Sequence, residues 1–175
     1  RSFTDGFPDS FAVKHSNILI SLSQISETVF ILTIPFFLKR FGIKAVMLLS
    51  MLAWFLRFAL FGIGNPEGIG LGYLILSMVV YGMAFDFFNI SGSLYVETET
   101  SSKFRSSAQG LFILLTNGVG ALIGGYTSGL IVDYYTNDGF RDWTTIWLGF
   151  AGYALILAVL FWLIFKYKHN PDKIG

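Results

Sequence analysis

The stretch 71-LGYLILSMVVYGMAFDFFNISGSLY-95 carries a single charged residue, Asp86, in an otherwise uncharged run. At 1.5 Å per helical residue such a run is long enough to cross the hydrocarbon core of a bilayer, roughly 30 Å thick. It does not alternate apolar and polar residues, as a barrel strand of about ten residues would. It reads as a membrane-spanning helix. Four further blocks of the same kind flank it, at 17–38, 43–63, 108–132 and 144–165. The connections KRFGIK, GNPEG, ETETSSKFRSS and DYYTNDGFRD are short and rich in turn residues, leaving no room for an extramembrane domain. The expected fold is all-α, a polytopic membrane helical bundle with five transmembrane helices over 17–165. Residues 1–16 form a loop segment outside the membrane and 166–175 a cytoplasmic tail.

Composition agrees. The 175 residues are 54% hydrophobic and only 13% charged, with mean hydropathy +0.63. A soluble domain carries about 25% charged residues, so this chain has too few to cover a water-facing surface. A net charge of +1 gives no reason to expect nucleic acid as a partner. Without cysteine there are no disulfides, thiolate metal sites or cysteine nucleophile. His15 and His169 lie at opposite ends, and no Ser/His/Asp grouping survives the span assignment, so neither a metal site nor an enzyme is expected. The glycines of 116-TNGVGALIGGYTSG-129 do not spell a dinucleotide fingerprint. Gly120 and Gly124, and Gly125 and Gly129, are instead spaced for close helix approach. The polar N-terminus lacks signal-peptide character and a starting methionine, and the chain is expected to be a piece of a longer protein.

Loop charges set the orientation. Lys39, Arg40, Lys44, Lys103, Arg105, Lys166, Lys168 and Lys173 fall on one side of the assigned spans. Arg1, Lys14 and Arg141 fall on the other, among Asp5, Asp9, Glu67, Asp133, Asp138 and Asp142. The side rich in Lys and Arg is cytoplasmic, which places the C-terminus inside and the N-terminal segment outside.

Three ionisable residues lie within the spans: Glu27, Arg57 and Asp86. Each costs about 2.5–3.5 kcal/mol at the bilayer centre on insertion scales, so each needs a cavity or a partner. Arg57 is placed to snorkel outward or to pair with a neighbouring helix. Gln24 and Glu27 share a helix face, with Ser16 and Ser23 extending the strip. That strip suits a water-accessible cavity, or a hydrogen-bonded helix contact. Tyr81 and Phe85 superimpose on one face with Asn89 a turn further, and Asp86 projects about 100° from Phe85. This sector suits a ligand with a flat face and several hydroxyls. Lipid packing of the rings and an Asp86–Arg57 ion pair are the alternatives.

SQISE, YGMAFDFFNISGSLYVE and FRSSAQGLFILLTNGVGALIGGYTSG resemble the nucleoside:proton symporter family of the major facilitator superfamily. PFFLKRFGIK is similar to the short basic turn that recurs in that superfamily. The resemblance covers essentially the whole chain and implies the last five of twelve helices, an incomplete C-terminal six-helix half. It implies nucleoside uptake driven by protons across the cell (inner) membrane through alternating access. The implied substrate-binding residues are Gln24 and Glu27 on one helix and Tyr81, Phe85 and Asp86 on another. The implied partners are a nucleoside, protons, the lipid bilayer and the N-terminal helices that this sequence lacks. No cofactor is implied beyond the proton gradient. In that scheme Phe85 and Tyr81 pack on the nucleobase, while Gln24, Glu27 and Asp86 bond ribose hydroxyls or base edges. Desolvation disfavours a charged carboxylate, so Glu27 or Asp86 is the candidate proton carrier. Two alternatives remain at this stage: a superfamily transporter of another polar solute such as a sugar, or a non-transporting assembly subunit. The latter predicts direct carboxylate–cation pairs.

Overall fold

The computed structural model describes residues 9–137 and 140–168. Arg1, Asp5, Asp138, His169 and Lys173 lie outside the described residues, with most of the N-terminal segment and of the C-terminal tail. A short helix, α1 (Phe11–Lys14), leads into α2 (Ser16–Ile63) and α3 (Gly68–Glu99). Then come α4 (Arg105–Ile113), a π-helical segment (Leu114–Gly120) and α5 (Ala121–Tyr134), which run on as one helical rod. Strands β1 (Thr136–Asn137) and β2 (Phe140–Arg141) form a two-residue antiparallel ribbon, and α6 (Trp143–Ile164) follows.

The 48 residues of α2 would make a straight rod of about 72 Å, more than twice the hydrocarbon thickness. They do not run straight. Gly42 has φ 79° and ψ 167°, a conformation essentially reserved for glycine, and the chain folds back there. Ser26 donates to the Val79 carbonyl, while Ser50 Oγ donates to the Ala84 carbonyl at 2.6 Å. Both halves of α2 therefore flank the same turns of α3, which a straight helix cannot do. The expected connection at 39–42 is helical up to the glycine, so the fold-back uses one residue rather than a loop.

Contacts among the spans alternate in direction. Along the second half of α2, Lys44 Nζ donates to the Trp162 carbonyl at 2.9 Å. At its other end, a Cβ on Gly62 would lie 2.9 Å from Leu148 Cγ. That half and α6 are thus antiparallel, and Lys44 satisfies one of the carbonyls left open at the end of α6. Ser93 and Gln109 exchange two hydrogen bonds, at 2.9 and 2.7 Å, and Arg105 pairs with Glu97 at 3.5 Å, so α3 and α4 also run antiparallel. The core gathers around Phe87, which is fully buried with Ile34, Leu38, Ile43, Val46 and Met47. Tilted and edge-on contacts from Phe37 and Phe30 close it at 5.3 and 6.0 Å. At the start of α6, Asp142 accepts from the Thr145 hydroxyl at 2.6 Å and its backbone N–H at 3.1 Å. These bonds hold the exposed Asp142 carboxyl below its ordinary range.

The small-residue faces of α5 behave differently from the close packing that their spacing suggests. Cβ atoms added at Gly124, Gly125 or Gly129 would meet nothing within 4 Å. Among the described residues, that face has no partner helix.

Candidate functional site

The first half of α2 brings its polar residues to α3 in two registers. Ser23 and Ser26 are buried; Ser23 donates back to the Ile20 carbonyl at 2.8 Å and Ser26 across to Val79. Gln24 is exposed and Glu27 half-buried, so the polar strip turns its serines inward and its carboxamide outward. The helices meet at Gly82, where a Cβ would lie 2.6 Å from the backbone nitrogen of Glu27. Gly82 is one turn before Asp86. Asp86 therefore lies about one helical turn along α3 from the point where Glu27 packs against it.

On α3 the rings of Tyr81 and Phe85 stack, 6.1 Å apart and 28° from parallel. Phe85 keeps 40% of its surface exposed. Asn89 Nδ2 donates to the Phe85 carbonyl at 3.0 Å, which ties the amide to its own helix. Asp86 is half-buried, and its Oδ2 is buried without a hydrogen-bond partner. Among the described residues, neither Glu27 nor Asp86 has a basic nitrogen within 4.0 Å. Arg57 makes no ion pair with Asp86 within 4.0 Å, and its contact with the neighbouring helix is to Tyr81. Its guanidinium sits over the Tyr81 ring, 4.0 Å from the centroid, with Phe61 and Trp54 at 5.3 and 5.8 Å.

Two parts of the site have no counterpart in the sequence reading. An open groove of about 500 Å³ between α3 and the α4–α5 rod is lined by Phe85, Asn89, Ser93, Glu97, Phe112 and Asn117. Asn89, Ser93 and Glu97 continue the four-residue spacing that begins at Tyr81 and Phe85, and that spacing was the available signal. Asn117 belongs to the π-helical segment, whose wider turn changes which residues face α3. Glycine spacing alone does not reveal it.

The sequence matches the nucleoside H+ symporter family over residues 2–170. A xanthosine permease of Escherichia coli (strain K12) is 62% identical over 168 residues, covering 96% of this chain and 40% of the permease. The nucleoside permease NupG of the same organism is 59% identical over 169 residues, covering 97% of this chain and 40% of the permease. A crystal structure of nucleoside transporter NupG superposes with a TM-score of 0.88 at 57% identity, over 95% of this chain and 42% of that one. The chain thus spans about two-fifths of the length of these relatives.

Proposed function

The chain belongs to the nucleoside H+ symporter family, and from that premise we propose that it forms the C-terminal part of a transporter that takes up nucleosides with protons. The chain supplies one wall of the binding site. Tyr81 and Phe85 offer a stacked aromatic surface to the base. Asp86 and Glu27, with Gln24 beside them, accept from ribose hydroxyls or from donors on the base edge. The groove beyond Phe85, past Asn89 and Ser93 to Glu97, continues that wall toward the basic side of the bundle. The remaining wall comes from helices outside this sequence, and alternating access moves the two walls against each other.

One observation carries the reading: the buried Asp86 Oδ2 has no hydrogen-bond partner, and among the described residues neither carboxylate has a basic nitrogen within 4.0 Å. An assembly subunit that used Glu27 and Asp86 to hold helices together would pair each of them directly. A carboxylate left open beside an exposed Phe85 suits a site that accepts a polar ligand and a proton. The loop charges support a cytoplasmic C-terminus in the inner membrane. Uptake of radiolabelled uridine by the full-length transporter tests the proposal. Wild type accumulates uridine when the outside is acidic, and Phe85→Ala, which removes the stacking surface, weakens binding about tenfold on the scale of a lost base–aromatic stack. A full-length protein that transports sugars but neither binds nor accumulates nucleosides contradicts it.

A further inference from the structure

Arg57 is a cation within a span, and the proposed transport scheme gives it no task. Three routes are open to such a residue: reach the headgroups, pair with an anion, or lie on aromatic rings. Among the described residues no carboxylate oxygen lies within 4.0 Å of Arg57, whereas three rings surround its guanidinium. Trp54 lies one turn before it and Phe61 one turn after it on the same helix, while Tyr81 comes from α3. The Tyr81 contact is the closest, at 4.0 Å from guanidinium carbon to ring centroid. Nη1 is buried and has no hydrogen-bond partner, so the ring contacts are what the buried end of the side chain makes. Trp54 adds an edge-on contact to the same Tyr81 ring, 6.0 Å away at 83°.

We propose that Arg57 is a positioning residue for nucleoside binding: it holds the Tyr81 ring in the orientation that stacks with Phe85. This rests on the reading of Tyr81 and Phe85 as the aromatic wall of the nucleoside site. A planar guanidinium over a ring fixes the ring's tilt in a way that a point charge on a flexible stem does not. With Trp54 against its edge and Phe85 stacked along α3, Tyr81 is ordered before the ligand arrives. A ligand that meets an ordered surface loses less affinity to immobilising it. Arg57 acts through Tyr81 and need not touch the nucleoside.

The test is a mutant cycle on the full-length transporter, reading uridine affinity by scintillation proximity, with a melting curve to establish that each variant is folded. Arg57→Leu in the wild-type background is expected to raise the uridine Kd about tenfold, the scale of a lost desolvated cation–π contact. In a Tyr81→Ala background the same change is expected to have less than about a twofold effect, because its target is gone. Arg57→Lys, which keeps the charge and loses the plate, is expected to fall between and serves as the test if Arg57→Leu does not fold. Equal losses in both backgrounds, or an unchanged Kd in the wild-type background, overturn the assignment while leaving the transport reading in place. A wild-type protein that binds neither uridine nor any other nucleoside overturns both.

Discussion

A Cβ at Gly82 would fall 2.6 Å from the Glu27 nitrogen and 2.7 Å from the Ser26 carbonyl carbon, both of them backbone atoms. Neither can yield by a rotamer change, so the helices would have to separate. Gly82→Ala is therefore expected to destabilise the full-length transporter by about 1–3 kcal/mol, the usual cost of overpacking, seen as a lower melting temperature in detergent. A melting temperature equal to that of wild type would mean that the two helices are not in contact there. Asp142 makes a second prediction at this scale. Its carboxyl is held below the ordinary aspartate range by the Thr145 hydroxyl first and the Thr145 N–H next. A carboxyl depressed in the folded state contributes stability above its unfolded pKa, near 3.9, and loses it as pH falls through the folded value. Asp142→Ala should lower the melting temperature at pH 7, and the gap from wild type should close below about pH 4. The roles of individual residues were only partly legible. The spacing of Gln24 and Glu27, and of Tyr81 and Phe85, places each pair on one face. Where Arg57 goes depends on how far α3 is shifted along α2, a packing register that no local pattern encodes.

Among the elements, α2 shows best how sequence and fold correspond. Two apolar blocks with a basic break between them are readable as two spans. That the break is a single fold-back residue is not, because it depends on Gly42 holding φ 79° and ψ 167° within an otherwise helical chain. Gly42→Ala is expected to cost about 1–3 kcal/mol, the strain of a side chain in that region, and to reduce the folded yield of full-length protein on size-exclusion chromatography. An unchanged yield would argue that the fold-back is not strained. The glycine pairs of α5 are legible as a helix-contact face, yet the chain described here offers them no partner. On the proposed reading their partner lies in the rest of the transporter. Gly124→Leu should then leave α5 helical and lower the thermal stability of the full-length protein, whereas an unchanged melting curve would place that face in lipid.

At the scale of the molecule, the all-helical apolar bundle is legible because length, hydropathy and loop charge are one-dimensional signals, and the four long apolar helices, the first folded back at Gly42, follow from them. The antiparallel contacts of Lys44 with Trp162 and of Ser93 with Gln109 agree with the alternation read from the loop charges. The packing of Glu27 against Gly82, one turn from Asp86, is not one-dimensional, and neither is the groove past Asn89 and Ser93. Both follow from how the helices cross. The chain spans about two-fifths of its relatives, and on the proposed reading it presents one wall of two, with its carboxylates toward the ligand. On that reading these carboxylates couple nucleoside movement to protons. The most direct measurement compares pH-driven uridine accumulation with equilibrium uridine exchange in proteoliposomes of the full-length transporter, for wild type, Glu27→Gln and Asp86→Asn. At least one variant is expected to retain exchange but no longer to accumulate uridine against its gradient. If both variants accumulate uridine with the pH dependence of wild type, neither carboxylate carries the proton and that reading is wrong.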